Sequence, residues 1–106
     1  MIRAGDRNVF IAECKFWSGT KSFVDALDQL FGYLTWRDTK SALIVFNRNR
    51  DASGVITKMH DAMKSHPSYR RTLSFGPEGR SEYIFVKESD PGREMRVTTL
   101  LFDLSD

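Results

Sequence analysis

A strand, an amphipathic helix and a second strand follow one another in the first half of the sequence. Val9–Trp17 is a β-rich run that comes after a turn-forming Gly-Asp-Arg-Asn cluster, which predicts the second arm of a hairpin. Lys21–Arg37 carries apolar residues at helical intervals, and Ser41–Asn47 is a short, nearly continuous apolar run. A strand that returns through a helix is typically a parallel neighbour of the first. The order therefore predicts a β-α-β unit.

The second half continues with one helix and three strands. Ser53–His66 has the apolar spacing of a helix, which Pro67 would end. Tyr69–Phe75, Glu82–Glu88 and Met95–Leu104 are separated by strong turn signals, which predicts an antiparallel meander. We expect an α/β fold with a mixed sheet, in the order β-α-β-α-β-β-β, with helices packed on the sheet. No linker or repeat divides the sequence, so residues 1–106 are expected to form a single domain.

Length and composition limit the function classes. A chain of 106 residues, 41% of them hydrophobic, supports one small core and leaves no room for a large cofactor-binding domain. The net charge of +2 says little about binding to a polyanion. A single cysteine cannot form an intramolecular disulfide, and no apolar run approaches the ~18 residues that span a bilayer. We expect a cytoplasmic protein without a membrane role.

Glu13 and Lys15 are the most informative residues, because they place two charges in an apolar strand. Residues two apart share one face of a strand, with Cα atoms roughly 6.5 to 7 Å apart. Cleavage of phosphodiesters with a metal needs a carboxylate that holds Mg²⁺ and a cation near the attacking water. The alternative is a plain ion pair, across strands or along the same face. Cys14 is expected to point to the other face as a small buried hydrophobe.

Two short motifs in this region resemble a known group of nucleases. Ile-Ala-Glu-Cys-Lys-Phe-Trp-Ser-Gly, at 11–19, looks like the central motif of the PD-(D/E)xK superfamily, the restriction-endonuclease-like nucleases. Gln29-Leu30-Phe31-Gly32-Tyr33 matches the Gln-x-x-x-Tyr that the RecB-like branch carries on the following helix. The resemblance covers roughly residues 9–47. The resemblance implies a restriction-endonuclease-like fold. It also implies a hydrolase, namely an endonuclease or another nuclease, that binds DNA and uses magnesium or manganese.

The resemblance also implies a role for each matching residue. Glu13 would ligate Mg²⁺ or Mn²⁺, the Cys14 backbone carbonyl would be a further ligand, and Lys15 would orient the nucleophilic water. Gln29 would position water or phosphate near the metal, although a plain solvated helix position is the alternative. Tyr33 would contact the substrate or pack beneath the site, and packing is favoured.

Other residues extend this hypothesis. Trp17 and Lys21 flank the first helix, and a basic group beside an aromatic one suits phosphate and base contacts, although a solvated face is the favoured alternative. His60 and His66 would lie on different helix faces, which is typical of surface or capping histidines and not of a shared metal site.

The family pattern also needs an aspartate on an earlier strand, and Asp6 is the sole upstream candidate. Because Asp6 lies within a turn-forming cluster, we expect the first helix and strands of a larger nuclease domain to be absent. Such a loss would leave one sheet edge and one core face uncovered, which favours a partner chain. A second hypothesis is therefore a non-catalytic nuclease-fold module for binding or dimerisation, with a homodimer as one form.

Overall fold

The computed structural model describes residues 2–4, 10–33, 40–48, 50–87 and 90–104. In this part of the chain the secondary structure follows the predicted order, with a short strand added in front. The elements are β1 (Ile2–Ala4), β2 (Phe10–Phe16), α1 (Thr20–Tyr33), β3 (Lys40–Asn47), α2 (Ala52–Ser65), β4 (Tyr69–Phe75), β5 (Arg80–Lys87) and β6 (Asp90–Asp103).

The strands form one mixed sheet in the order β1-β2-β3-β6-β5-β4. β3 is parallel to both β2 and β6, which confirms the β-α-β crossover. β4, β5 and β6 are antiparallel neighbours and form the expected meander. β1 pairs antiparallel with β2 as the first arm of the predicted hairpin. The α/β class is confirmed.

The helix ends follow ordinary capping chemistry. The Asp51 carboxylate accepts a hydrogen bond from the Gly54 N–H at 3.0 Å, so α2 begins at Ala52, one residue before the predicted Ser53. His66 has extended backbone angles and stands before Pro67, which explains why α2 ends at Ser65. The described part of α1 ends at Tyr33, and the predicted continuation over 34–37 lies outside the described residues.

The main core lies between the two helices and one face of the sheet. α1 and α2 both bury apolar side chains against the odd-numbered residues of β3 and β5. The members with 0% exposure are Leu27, Leu30, Leu43, Met63, Phe85 and Val97. The face of β2 that carries Glu13 is therefore the face covered by α1.

The opposite face of the sheet explains one wrong prediction. Cys14 was expected to be buried, but it is exposed. Its neighbour Phe16 on the same face is 46% exposed. Both described helices pack on the Glu13 face, so no described helix covers Cys14. β2 lies between β1 and β3, and no described helix covers its Cys14 face.

The described histidines are held by different partners. His66 Nε2 lies 2.6 Å from Asp28 Oδ1, and its Nδ1 accepts a hydrogen bond from the Ser68 N–H at 3.0 Å. His66 Nε2 therefore carries the proton and donates it to Asp28. His60 Nδ1 lies 2.8 Å from the Tyr83 hydroxyl, and burial raises the pKa of Tyr83. The histidines do not share a site, as predicted.

His60 makes stability depend on pH. Burial of its ring lowers the pKa of His60 below the ordinary value of 6.5, Lys64 lowers it further, and Asp61 partly opposes the shift. The unfolded chain therefore binds more protons, so stability is fully present above pH 6.5 and falls as the pH drops toward the lowered folded pKa. Urea unfolding of the protein and of His60→Gln over this interval should show a flatter dependence in the variant. Equal slopes would contradict the assignment.

Candidate functional site

Glu13 and Lys15 lie on the face of β2 that α1 covers. Ile11, two residues before Glu13, is 2% exposed and belongs to the core under the helices. Strand alternation therefore directs Glu13 and Lys15 to the same side, as predicted. Lys15 lines an apolar crevice together with Phe23 and Ala26 of α1, and the crevice has no room for a water molecule. Lys15 is half-buried, and its side chain forms part of the wall of this crevice.

The plain ion pair considered for these charges is not formed. Neither Glu13 nor Lys15 makes an ion pair within 4.0 Å with any described residue. Glu13 Oε2 is buried and has no hydrogen-bond partner among the described residues. A buried acceptor without a partner costs about 1–3 kcal/mol, and more when it is charged. The structure therefore holds a carboxylate oxygen in a position where a cation or a donor would stabilise it.

The backbone carbonyl of Cys14 points away from β3, toward the β1 side of β2. The Trp17 N–H donates to the Phe46 carbonyl at 2.9 Å, so the backbone of Trp17 faces β3. The N–H and C=O groups of successive strand residues point in alternate directions in the plane of the sheet. The backbone groups of Glu13 and Lys15 therefore point toward β3, and the backbone groups of Cys14 point toward the β1 side. β1 pairs only with 10–12, so no described strand reaches the Cys14 carbonyl. Its expected role as a further metal ligand stays a prediction.

Gln29 and Tyr33 lie on one flank of α1. They follow Ala26, which lines the Lys15 crevice, by about one and two helical turns. The other flank carries Asp28, which contacts α2 through His66, so Gln29 and Tyr33 face away from α2. Both are exposed, and Tyr33 at 40% exposure is not the core residue that was favoured. The buried stripe of α1 consists of Phe23, Ala26, Leu27 and Leu30.

Trp17 and Lys21 differ in their surroundings. Trp17 is half-buried, lines the crevice beside Lys15, and packs against the Phe23 ring with centroids 5.9 Å apart. Lys21 is exposed in the first turn of α1. Trp17 therefore forms part of the wall of the crevice beside Lys15. Lys21 does not line this crevice, and its exposed side chain is in contact with solvent.

The proposed metal ligands are only partly within the described residues. Asp6 lies outside them, so its expected role stays a prediction. Among residues 10–33, 40–48, 50–87 and 90–104, no group of three or more His, Cys, Asp and Glu side chains could hold a metal ion. Within this part of the chain the site therefore offers the Glu13 carboxylate and backbone oxygen, and no third side-chain ligand.

The Asp28–His66 contact was missed by sequence reasoning. It joins residues 38 positions apart and ties α1 to the end of α2. The His66 ring is also edge-on to Phe31 and Phe85, with centroids 5.3 and 5.5 Å away. The Asp28–His66 contact depends on how the two helices pack, so no local sequence pattern predicts it. An open cleft of about 400 Å³ lies beside His66 between the two helices.

Among the described residues, no helix is both long enough and apolar enough to cross a membrane. Comparisons of the chain with family models, characterised proteins and solved structures found no match.

Proposed function

We propose that this protein is a metal-dependent nuclease of restriction-endonuclease-like fold that hydrolyses phosphodiester bonds of DNA. The proposal depends on the buried Glu13 Oε2, which has no partner among the described residues, and on Lys15 of the same strand face, which forms no ion pair with any of them. Structural ion pairs in a strand normally satisfy each other. Glu13 and Lys15 do not pair with each other within 4.0 Å. A site in which the carboxylate binds a metal ion and the lysine meets a phosphate requires such a separation.

The oxygen atoms present fit a hard divalent cation. Mg²⁺ and Mn²⁺ prefer carboxylate, carbonyl and water oxygens. The Glu13 carboxylate and the Cys14 carbonyl would hold the ion, and Asp6 is the candidate for a further carboxylate. When bound, the ion supplies Lewis-acid activation of water and neutralises phosphate charge.

Lys15 would act on the negative charge of the reaction. It lines a crevice together with Phe23 and Ala26 and has no acidic partner among the described residues. A cation in this position would stabilise charge that develops on a phosphate oxygen and would help to hold the attacking water. Gln29, exposed on the neighbouring flank of α1, would bind water or phosphate, and Tyr33, one turn further along, would contact the DNA.

A non-catalytic module of the same fold is the second candidate. The described residues supply one carboxylate at this site, and the far face of the sheet exposes apolar side chains such as Phe102, at 50% exposure. Such a module would bind a partner chain or a second copy and would not hydrolyse DNA.

Cleavage of DNA separates the two candidates. We expect linear or plasmid DNA to be cut in the presence of Mg²⁺ or Mn²⁺ and to stay intact in EDTA. Lys15→Met keeps an unbranched side chain in the crevice wall but removes the cation, so the cleavage rate should fall about 100-fold. Lys64→Met is the matched control, because Lys64 is exposed on α2 and pairs with Asp61 at 3.8 Å. No cleavage at all, or equal cleavage by both variants, would contradict the nuclease proposal.

A further inference from the structure

The sheet face opposite Glu13 carries a continuous apolar surface on its three parallel strands. Strand register places its residues side by side across β2, β3 and β6. We call this surface the open face, and it consists of Cys14, Phe16, Ile44, Phe46, Leu100 and Phe102. Cys14, Phe16 and Phe102 are exposed, and the other three residues are half-buried. Ala12 and Ala42, the next pair on this face toward Lys40, are small and already buried, at 1% and 2% exposure.

Parallel strands are normally covered on both faces, because their strands are apolar on both sides. In the described part of this chain, α1 and α2 cover only one. We propose that the open face is the docking surface for an amphipathic α-helix of a partner protein, with an apolar stripe at its centre and acidic residues in its first and last turns.

The aromatic row of the open face favours a helix over stacked nucleic-acid bases. Phe46 and Phe102 stack on each other, with centroids 5.8 Å apart at 26°. The Arg48 guanidinium lies 4.1 Å from the centre of the Phe16 ring. Base stacking needs free ring faces. Phe46 lies between the rings of Phe16 and Phe102, and Phe16 lies between Phe46 and Arg48, so both of these rings already contact two groups. The ring edges and the aliphatic side chains that remain suit the side chains of an apolar helix stripe.

The charges at the two ends of the open face favour an acidic partner. At one end, Lys40 and Arg96 lie directly opposite each other in the sheet register. Like charges in this arrangement repel, and neither residue has an ion pair within the described chain. At the other end stands Arg48. Carboxylates from a partner would neutralise both ends, whereas a second copy of the open face would bring further cations.

The distance between the basic ends sets the length of the partner helix. The Arg48 guanidinium lies over Phe16, and Phe16 is paired with Phe46 in the sheet, so Phe46 marks the Arg48 end. Lys40 and Phe46 are six residues apart on β3, which corresponds to roughly 20 Å along a strand. An α-helix of about 14 residues covers this distance. The occupant is therefore about four turns long, with acidic groups near both termini.

Binding of a designed peptide tests the proposal. The probe is a fluorescein-labelled peptide of about 14 residues with leucines at i, i+3, i+4 and i+7 and glutamates in its first and last turns. In fluorescence anisotropy with the intact protein at low salt, we expect a Kd on the order of 10–100 μM. A scrambled peptide and a peptide with lysines in place of the glutamates should bind at least about 10-fold more weakly.

Surface variants locate the binding. Phe102→Gln should weaken binding about 10-fold and Arg48→Glu about 3-fold, because both residues are exposed and contribute contact or charge. Leu73→Gln on the edge strand β4, where Leu73 is 39% exposed, is the matched apolar control. Lys58→Glu on α2 is the matched charge control, and both controls should keep the affinity of the unmodified protein.

Four results would overturn the proposal. The first is no peptide binding up to about 1 mM. The second is equal binding of the scrambled or lysine-bearing peptide. The third is displacement of the peptide by a single-stranded oligothymidylate that binds more tightly, which would identify a nucleic-acid surface. The fourth is a dimer in sedimentation that Phe102→Gln dissociates, which would identify a second copy as the occupant.

Discussion

Glu13→Gln is expected to remove DNA cleavage while leaving the fold intact. The amide has nearly the same shape as the carboxylate but lacks the negative charge that a divalent cation requires, so the rate should fall at least about 100-fold. Because Glu13 Oε2 is buried without a partner among the described residues, the native charge contributes no stabilising contact to the described fold. The unfolding temperature of the variant is therefore expected not to fall. Cleavage assays and thermal unfolding on the same preparation measure both quantities.

The matched control for this prediction is Glu78→Gln, a change of the same chemistry in the exposed turn between β4 and β5. It should cleave DNA at the rate of the unmodified protein. A Glu13→Gln variant that keeps its activity would remove Glu13 from the site. A variant that loses activity and also unfolds many degrees earlier would instead show that Glu13 is a structural residue.

Phe85→Ala is expected to cause the largest loss of stability. Phe85 is 0% exposed, and its ring contacts Phe31 at 5.0 Å, His66 at 5.5 Å and Tyr69 at 6.0 Å between centroids. It therefore joins α1, the end of α2, β4 and β5. Truncating a phenylalanine in such a core costs about 3–5 kcal/mol. For a domain of this size the melting temperature should drop by roughly 15–30 °C.

Phe75→Ala provides the comparison. Phe75 is 43% exposed at the end of β4, although its ring lies 4.2 Å from that of His60. The loss should be about 1 kcal/mol, as for a surface change with one contact. Calorimetry or urea unfolding of both variants measures the difference. Similar losses for the two variants would contradict the assignment of Phe85 to the centre of the core.

The order of the elements could be predicted because it depends on local patterns. The alternation from Val9 to Trp17, the apolar spacing of the helices and the Gly- and Pro-containing turns each act over a few residues. Parallel pairing of β2 with β3 then follows from the helix between them. Helix ends were less certain, since Asp51 caps α2 through a side-chain contact that shifts the start by one residue.

The burial of single residues was harder to predict. Cys14 and Tyr33 were both expected to be buried because they lie in apolar segments, yet both are exposed. Which sheet face a helix covers depends on where the helix packs, which periodicity alone does not determine. The Asp28–His66 hydrogen bond could not be predicted from the sequence for the same reason, because its two residues meet only when α1 packs beside α2.

For the candidate site, the period of a strand was sufficient to place Glu13 and Lys15 on one face. Whether the two charges satisfy each other could not be predicted, because side-chain directions depend on the packing around them. Among the described residues, Lys15 has no ion-pair partner and Glu13 Oε2 is buried without a hydrogen bond, and both facts are known only from the packed structure.

The central position of β6 has a consequence for protein synthesis. β6 follows all the other described strands in sequence, yet it lies between β3 and β5 and joins the parallel half of the sheet to the meander. While a ribosome still holds residues 90–103, the edges of β3 and β5 have no partner strand. Pairings of such high sequence separation form slowly. We therefore expect the sheet to close only after these residues leave the ribosome, so that a nascent chain stalled before them is open to proteases and chaperones.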